Sequence, residues 1–291
     1  MTQRLSLALA GGFFIAVLGL VLWLGWPGSE HAAPGNKIFV VTTIYPLADF
    51  AEHVGGEHVY VKNIVPAGVE PHEYEPSPRD VEEILAADAV FFIGAGLDDW
   101  VGEVLNQGPS FAGIGDGTDP HIWLDPVLSV AMVNTILADL SAADPAHAAD
   151  YAANAEQYQH ELSTLDESYR TGLNDCQLDA IIVSHDAVSY LAKRYSFETL
   201  GISGISPEAE PSIKDLTQLA REAKRLNIST IFFETLVSPE LAETLAKEVG
   251  ASTAVLNPLE GLSESEIAAG EDYLSVMQSN LTALRAAMLC R

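Results

Sequence analysis

Apolar positions along this chain form two alternations of strand-like runs and helix-period segments, with one long stretch of helical spacing between them. Lys37–Tyr45 is a β-branched apolar run stopped at Pro46, the pattern of a strand buried on both faces. Leu47–Val54 follows with helical spacing, and Val59–Val65 is a second strand-like run. Pro78 stands where a helix tolerates proline, in its first turn, ahead of Val81, Ile84 and Leu85 at helical spacing. Ala89–Ile93 is a third run, closed by Gly94-Ala95-Gly96, and Pro126–Leu140 reads as a further helix. Asp144-Pro145 is expected to open the long helix, with Asp144 as its N-cap, and the helix to reach about Leu173. Its apolar stripe (Tyr151, Ala155, Tyr158, Leu162, Leu165, Tyr169) predicts a packing face rather than a cofactor site.

The alternation then restarts. Strands are predicted at Ala180–Val183, Phe197–Ile202, Ser229–Phe233 and Ala251–Leu256, with helices at Ala187–Arg194, Ser212–Leu226, Pro239–Val249 and Asp272–Leu289. Strand and helix in regular succession mean an α/β fold with parallel sheets. The predicted organisation is an N-terminal lobe over 37–143, a connecting helix over 144–173 and a C-terminal lobe over 174–291. A ligand then belongs in the cleft between the lobes, at the carboxyl ends of the strands.

Residues 1–27 stand apart from this pattern. A short basic start, Met1 to Arg4, precedes an almost unbroken apolar run from Leu5 to Trp26, long enough to span a bilayer. No clean Ala-x-Ala follows it, nor a cysteine for lipid attachment, so the segment is expected to be either an export signal or a retained membrane anchor. Residues 28–36 read as a flexible linker. Export changes the reading of the two cysteines, Cys176 and Cys290, which outside the cytosol are expected to form a disulfide.

The 291 residues carry 41 acidic against 14 basic side chains, a net charge of −27, which excludes binding to a phosphate backbone. The surplus is spread along the chain and implies a solubilising surface, adaptation to high salt, or a field that concentrates cations.

Candidate chemistry lies in three turn-like segments: Pro71-His72-Glu73-Tyr74-Glu75-Pro76, Asp119-Pro120-His121-Ile122-Trp123-Leu124-Asp125-Pro126 and Val183-Ser184-His185-Asp186. Three imidazoles and one carboxylate make a closed tetrahedral zinc site. No His-Glu-x-x-His and no Cys-x-x-Cys occurs, so the ligands must be gathered from distant segments by the fold. The carboxylate candidates are Glu260 in its Pro-Gly-flanked loop, Glu234 at the end of the Ser229–Phe233 strand, and Glu73 beside His72. Glu234 can equally pair with backbone or an arginine. Asp125 and Asp186 can orient an imidazole or cap a helix.

These segments, with Thr42-Thr43-Ile44-Tyr45-Pro46-Leu47, Gly204-Ile205-Ser206-Pro207-Glu208-Ala209-Glu210-Pro211-Ser212 and Leu256-Asn257-Pro258-Leu259-Glu260, resemble the zinc- and manganese-binding solute-binding proteins of ABC-type metal transporters. The likeness runs from about Lys37 to the C-terminus. It implies two lobes, each built on a small parallel sheet, linked by a rigid helix, with metal in the cleft. It places ligands at His72, His121 and His185, the three-histidine version seen in zinc-selective members. Of the two carboxylate positions the family uses, one is Asn257 here, which leaves Glu260. The resemblance implies an extracytoplasmic, monomeric receptor without catalysis that delivers Zn²⁺ to a membrane permease. The alternatives are manganese capture and, from another class, a zinc hydrolase. Imidazole suits zinc better than manganese, and no general base accompanies the histidines. Adhesion is described for some related receptors. Two features depart from the family. Gln107 to Thr118 is short and has no histidine, and the usual lipid-bearing cysteine is missing.

Overall fold

The computed structural model describes residues 35–207, 209 and 211–291. The expected signal or anchor, and the linker as far as residue 34, lie outside the described residues.

Strand β1 (Ile38–Thr42) is buried at every position. It is the middle strand of a parallel sheet of order β2-β1-β3, between β2 (Val59–Asn63) and β3 (Ala89–Phe91). Alternate side chains of a strand face opposite ways, and here they feed two different cores. Ile38 and Val40 pack with Leu47 and Phe50 of α1 (Tyr45–Gly55), whose first turn takes Pro46. Phe39 and Val41 face Ile84 of α2 (Pro78–Ala86) and Val101 of α3 (Asp99–Leu105). Burial on both faces explains why β1 reads as a continuous apolar run rather than an alternating one.

The second sheet repeats the arrangement with four parallel strands, β5-β4-β6-β7. These are β4 (Ala180–Val183), β5 (Glu198–Gly201), β6 (Thr230–Phe233) and β7 (Ser252–Val255). From β4, Ala180 and Ile182 pack beneath α7 (Ile213–Arg225) and α8 (Glu240–Val249), while Ile181 and Val183 turn the other way. That other face is shared, because Val40, Val183 and the stripe of the long helix belong to one continuous apolar core.

Helix α5 (Ala148–Gly172) is the connector, and its buried residues are the predicted stripe Tyr151, Ala155, Tyr158, Leu162, Leu165 and Tyr169. Its tyrosines are anchored at their polar ends: Tyr158 donates to Asp49 Oδ1 at 2.6 Å and Tyr169 to the Met277 carbonyl at 2.7 Å. Met277 lies in α10 (Tyr273–Ala287), which packs along α5. Further bonds cross between the lobes, with Trp123 Nε1 donating to the Pro258 carbonyl at 2.8 Å and Tyr273 Oη to the Trp123 carbonyl at 2.6 Å. The expected disulfide is present, joining Cys176 to Cys290.

Asp144 is not the N-cap of the connector. Helix α4 (Pro126–Ala143) continues up to it, and the Asp144 N–H donates to the Leu140 carbonyl at 2.8 Å, which ends α4. Pro145 and Ala146 then occupy a turn, so α5 starts only at Ala148, with His147 at the N-cap position and no side-chain cap bond. The Asp144 carboxylate instead accepts from His147 Nδ1 at 2.5 Å and from Tyr151 Oη at 3.0 Å, bracing the corner between the two helices.

Candidate metal centre

Each of the three histidines sits in a short turn that the local sequence makes rigid. Pro71 starts a single 3₁₀ turn, Pro71–Glu73, and the Glu70 carboxylate caps it by accepting the His72 N–H at 3.1 Å. His121 precedes the 3₁₀ turn Ile122–Leu124. One oxygen of Asp119, Oδ1, accepts both its backbone N–H at 2.9 Å and its Nδ1–H at 2.7 Å. His185 lies just beyond the end of β4, with only Ser184 between, and its Nδ1 donates to Glu234 Oε1 at 2.8 Å. Ser184 donates to that same carboxylate oxygen.

Glu260 lies beyond β7 in a loop built by Asn257. The Asn257 side-chain carbonyl accepts from the Leu259 N–H at 2.7 Å, holding Leu259 at φ +59°, a left-handed conformation that an apolar residue adopts only when its surroundings enforce it. The Asn257 amide donates to Glu266 at 2.8 Å, and its backbone N–H and carbonyl are both taken by the Asn280 side chain, at 2.9 and 2.7 Å. Asn257 therefore shapes the loop that carries the carboxylate.

The four side chains meet, with their ligand atoms all within 4.8 Å of one another. Nε2 of His121 lies 3.3 Å from Nε2 of both His72 and His185. Glu260 Oε1 lies 2.8 Å from His121, 3.2 Å from His185 and 3.3 Å from His72, in each case measured to Nε2. Four ligands at zinc distance from a common centre are about 3.3–3.4 Å apart at the tetrahedral edge. Five of the six edges are thus given, and four fall within a tenth of an ångström or so of that value. His121, His185 and Glu260 are buried, and His72 is the member of the cluster nearest solvent.

The electrostatics favour a cation. Burial alone would raise the Glu260 carboxyl, but contact with three imidazoles outweighs it and holds Glu260 well below the usual carboxylate range. Burial opposes protonation of His185 as well, yet Glu234 and Glu260 lift it to about 10, and Asp119 and Glu260 raise His121. These protons are what a dication displaces when it takes the Nε2 lone pairs. Glu70, beside Glu260, is pushed up to about 9 by burial and by the Glu260 charge. One carboxylate oxygen each of Glu70, Glu234 and Glu260 is buried without a hydrogen-bond partner among the described residues.

Of the other candidates, Glu234 meets neither backbone nor arginine among the described residues but orients His185 through the ring nitrogen opposite the cluster. Asp125 caps α4 through the Val127 N–H at 2.9 Å, and Asp186 accepts from Thr199 at 2.7 Å, so neither touches an imidazole. Glu73 is exposed and outside the cluster. Sequence reasoning did not single out Asp119 or Glu70. Their signal is position: each lies two residues before a histidine with a proline between, a turn in which a carboxylate reaches the following N–H.

The family model described as zinc-uptake complex component A, periplasmic (ZnuA) matches residues 40–287. The chain is 35% identical over 287 residues to the zinc-binding protein AdcA of Streptococcus pyogenes, covering 86% of this chain and 56% of that protein. It thus spans about half the length of the AdcA relatives it matches. The high-affinity zinc uptake system protein ZnuA of Bacillus subtilis is 35% identical over 285 residues, covering 88% of this chain and 89% of that protein. The crystal structure of the Zn(II)-bound ZnuA-like domain of Streptococcus pneumoniae AdcA superposes with a TM-score of 0.77 at 38% identity, covering 87% of this chain and 99% of that domain. By sequence and fold alike, the chain belongs to the ZnuA family of periplasmic zinc-uptake components.

Proposed function

We propose that this protein is an extracytoplasmic zinc receptor that binds one Zn²⁺ between its lobes and hands it to the membrane permease of an ABC transporter. Nε2 of His72, His121 and His185 and Oε1 of Glu260 are the ligands. The observation that carries this reading is the convergence of those four atoms from four separate segments, all within 4.8 Å of one another and with five of their separations between 2.8 and 3.3 Å. Zinc rather than manganese follows from the donor set, since three neutral imidazoles suit a borderline-soft ion and Mn²⁺ prefers oxygen. Glu260 fills the position that a catalytic zinc would leave to water, so the site retains metal rather than activating a nucleophile. The lobes are taken as 37–143 and 174–291, with 144–173 as the connector. The receptor acts as a monomer, and residues 1–27 provide its export and, where retained, its attachment to the membrane.

Metal analysis and competition test the reading. Protein purified without added metal should bind one equivalent of Zn²⁺ tightly, and excess Mn²⁺ should fail to displace it. Displacement of zinc by Mn²⁺ at comparable concentration would overturn the zinc assignment.

A further inference from the structure

Helix α6 (Ser189–Tyr195) begins just beyond His185 and belongs to the second lobe. Its side chains nonetheless hold the segment that carries His121 in the first. Ser189 Oγ donates to Asp119 Oδ2, the carboxylate whose other oxygen takes both His121 N–H groups. Tyr190 Oη donates to Asp116 Oδ1 at 3.0 Å and accepts the Asp116 N–H at 2.9 Å, and that same Oδ1 accepts the N–H of Thr118, the residue before Asp119, at 3.0 Å. Arg194 Nε donates to Asp125 Oδ2 at 2.6 Å. Three aspartates flanking His121 are thus each engaged by one helix from the opposite lobe.

The approach is close enough to constrain the sequence. Gly115 has φ +76°, and a Cβ there would lie 2.6 Å from the Tyr190 hydroxyl and 2.7 Å from Ile122. Only glycine satisfies both conditions. The contacts close a ring, running from His185 along the chain to Ser189, through Asp119 to His121, and back across the 3.3 Å between the two Nε2 atoms.

We propose that α6 is a clasp that positions His121 from the opposite lobe, with Ser189 acting through Asp119 and Tyr190 through Asp116, so that both set zinc affinity without touching metal. The inference rests on the zinc reading of the cluster. Its physical reason lies in Asp119. One carboxylate oxygen holds His121 at two points, so a small rotation of the carboxyl moves the ring, and Ser189 is what fixes the other oxygen. Metal ligands need placement to within about 0.5 Å, which a loop does not give by itself. Loss of a group that directly orients a metal-bound histidine typically costs 10–100-fold in affinity, and Ser189 acts one bond further out, so a loss of about 3–10-fold is expected.

The test uses Ser189→Ala, Tyr190→Phe and Ser189→Thr in the full chain. Three quantities are read: zinc affinity by chelator competition, the visible absorption bands of the Co²⁺-loaded protein, and the melting temperature without metal. The clasp predicts weaker zinc binding and altered Co²⁺ bands in Ser189→Ala and Tyr190→Phe, at a metal-free melting temperature close to that of the parent, and recovery in Ser189→Thr. Parental affinity and bands in both variants would overturn it. So would an affinity loss that merely follows a lowered metal-free melting temperature with the Co²⁺ bands unchanged. A parent protein that binds neither Zn²⁺ nor Co²⁺ would instead bring down the zinc reading, and the clasp with it.

Discussion

Replacing Glu234 by Gln tests whether an outer carboxylate governs one ligand of the centre. Glu234 accepts His185 Nδ1 at 2.8 Å and is itself buried, so no water can stand in for it. Its hydrogen bond fixes the proton on Nδ1, leaves Nε2 as the lone-pair nitrogen facing His121 and Glu260, and raises the basicity of the ring. Gln keeps the shape and one acceptor but removes the charge. The low end of the usual 10–100-fold range is therefore expected, about 10-fold or 1.4 kcal/mol, with Glu234→Ala nearer 100-fold. Zinc affinity measured against a chromophoric chelator at fixed pH gives the number. A cycle with His185→Ala isolates the coupling: once the ring is gone, Glu234→Gln should cost nothing further. An affinity for Glu234→Gln within about two-fold of the parent, or an equal loss with and without His185, would refute the argument.

Two further perturbations probe the scaffold. Removing the disulfide with Cys176→Ser and Cys290→Ser opens a loop with a sequence separation of 114, for which chain entropy predicts a loss of about 4–5 kcal/mol. A urea midpoint unchanged from the oxidised parent would contradict it. His53 should make stability fall on the alkaline side. Burial lowers its affinity for a proton, but the Asp49 hydrogen bond and charge prevail and lift it to about 9 from the ordinary histidine value of 6.5. A folded value above the unfolded one gives stability that is fully present below about 6.5 and lost as pH rises through about 9. Because the ring is 39% exposed, screening reduces the effect to roughly 1 kcal/mol. His53→Gln should flatten the melting-temperature difference between about pH 6 and 9.5, and an equally steep profile in that variant would exclude His53 as its source.

Much of the fold was legible because burial writes itself into the chain at a fixed period. The stripe of α5 and the runs that became β1 and β4 fall on the predicted residues. Helices α3 and α9 (Glu264–Ala269) were missed because neither completes two turns, so no periodic signal accumulates. The Asp144 error has a different origin: capping is a local rule, and the turn at Pro145 moves the helix start beyond its reach. The histidines stood out by residue type, but the roles of Glu234 and Glu260 depend on strand order. In the sheet β5-β4-β6-β7, β6 lies next to β4. A carboxylate directly after β6 therefore reaches the flank of His185, whereas Glu260 comes back to the centre only through the Asn257 loop beyond β7. The α6 clasp was invisible for the same reason, since its partners are brought together only by the assembly of both lobes.

The coordination shell of the zinc-loaded protein tests the central claim most directly, by a crystal structure or by zinc X-ray absorption on the parent and Glu260→Gln. The account predicts four ligands at about 2.0–2.2 Å, Nε2 of His72, His121 and His185 and one oxygen of Glu260, with no water on the ion. In Glu260→Gln, zinc should remain on the three histidines and bind more weakly. Water on zinc in the parent, with Glu260 turned away from the ion, would contradict it.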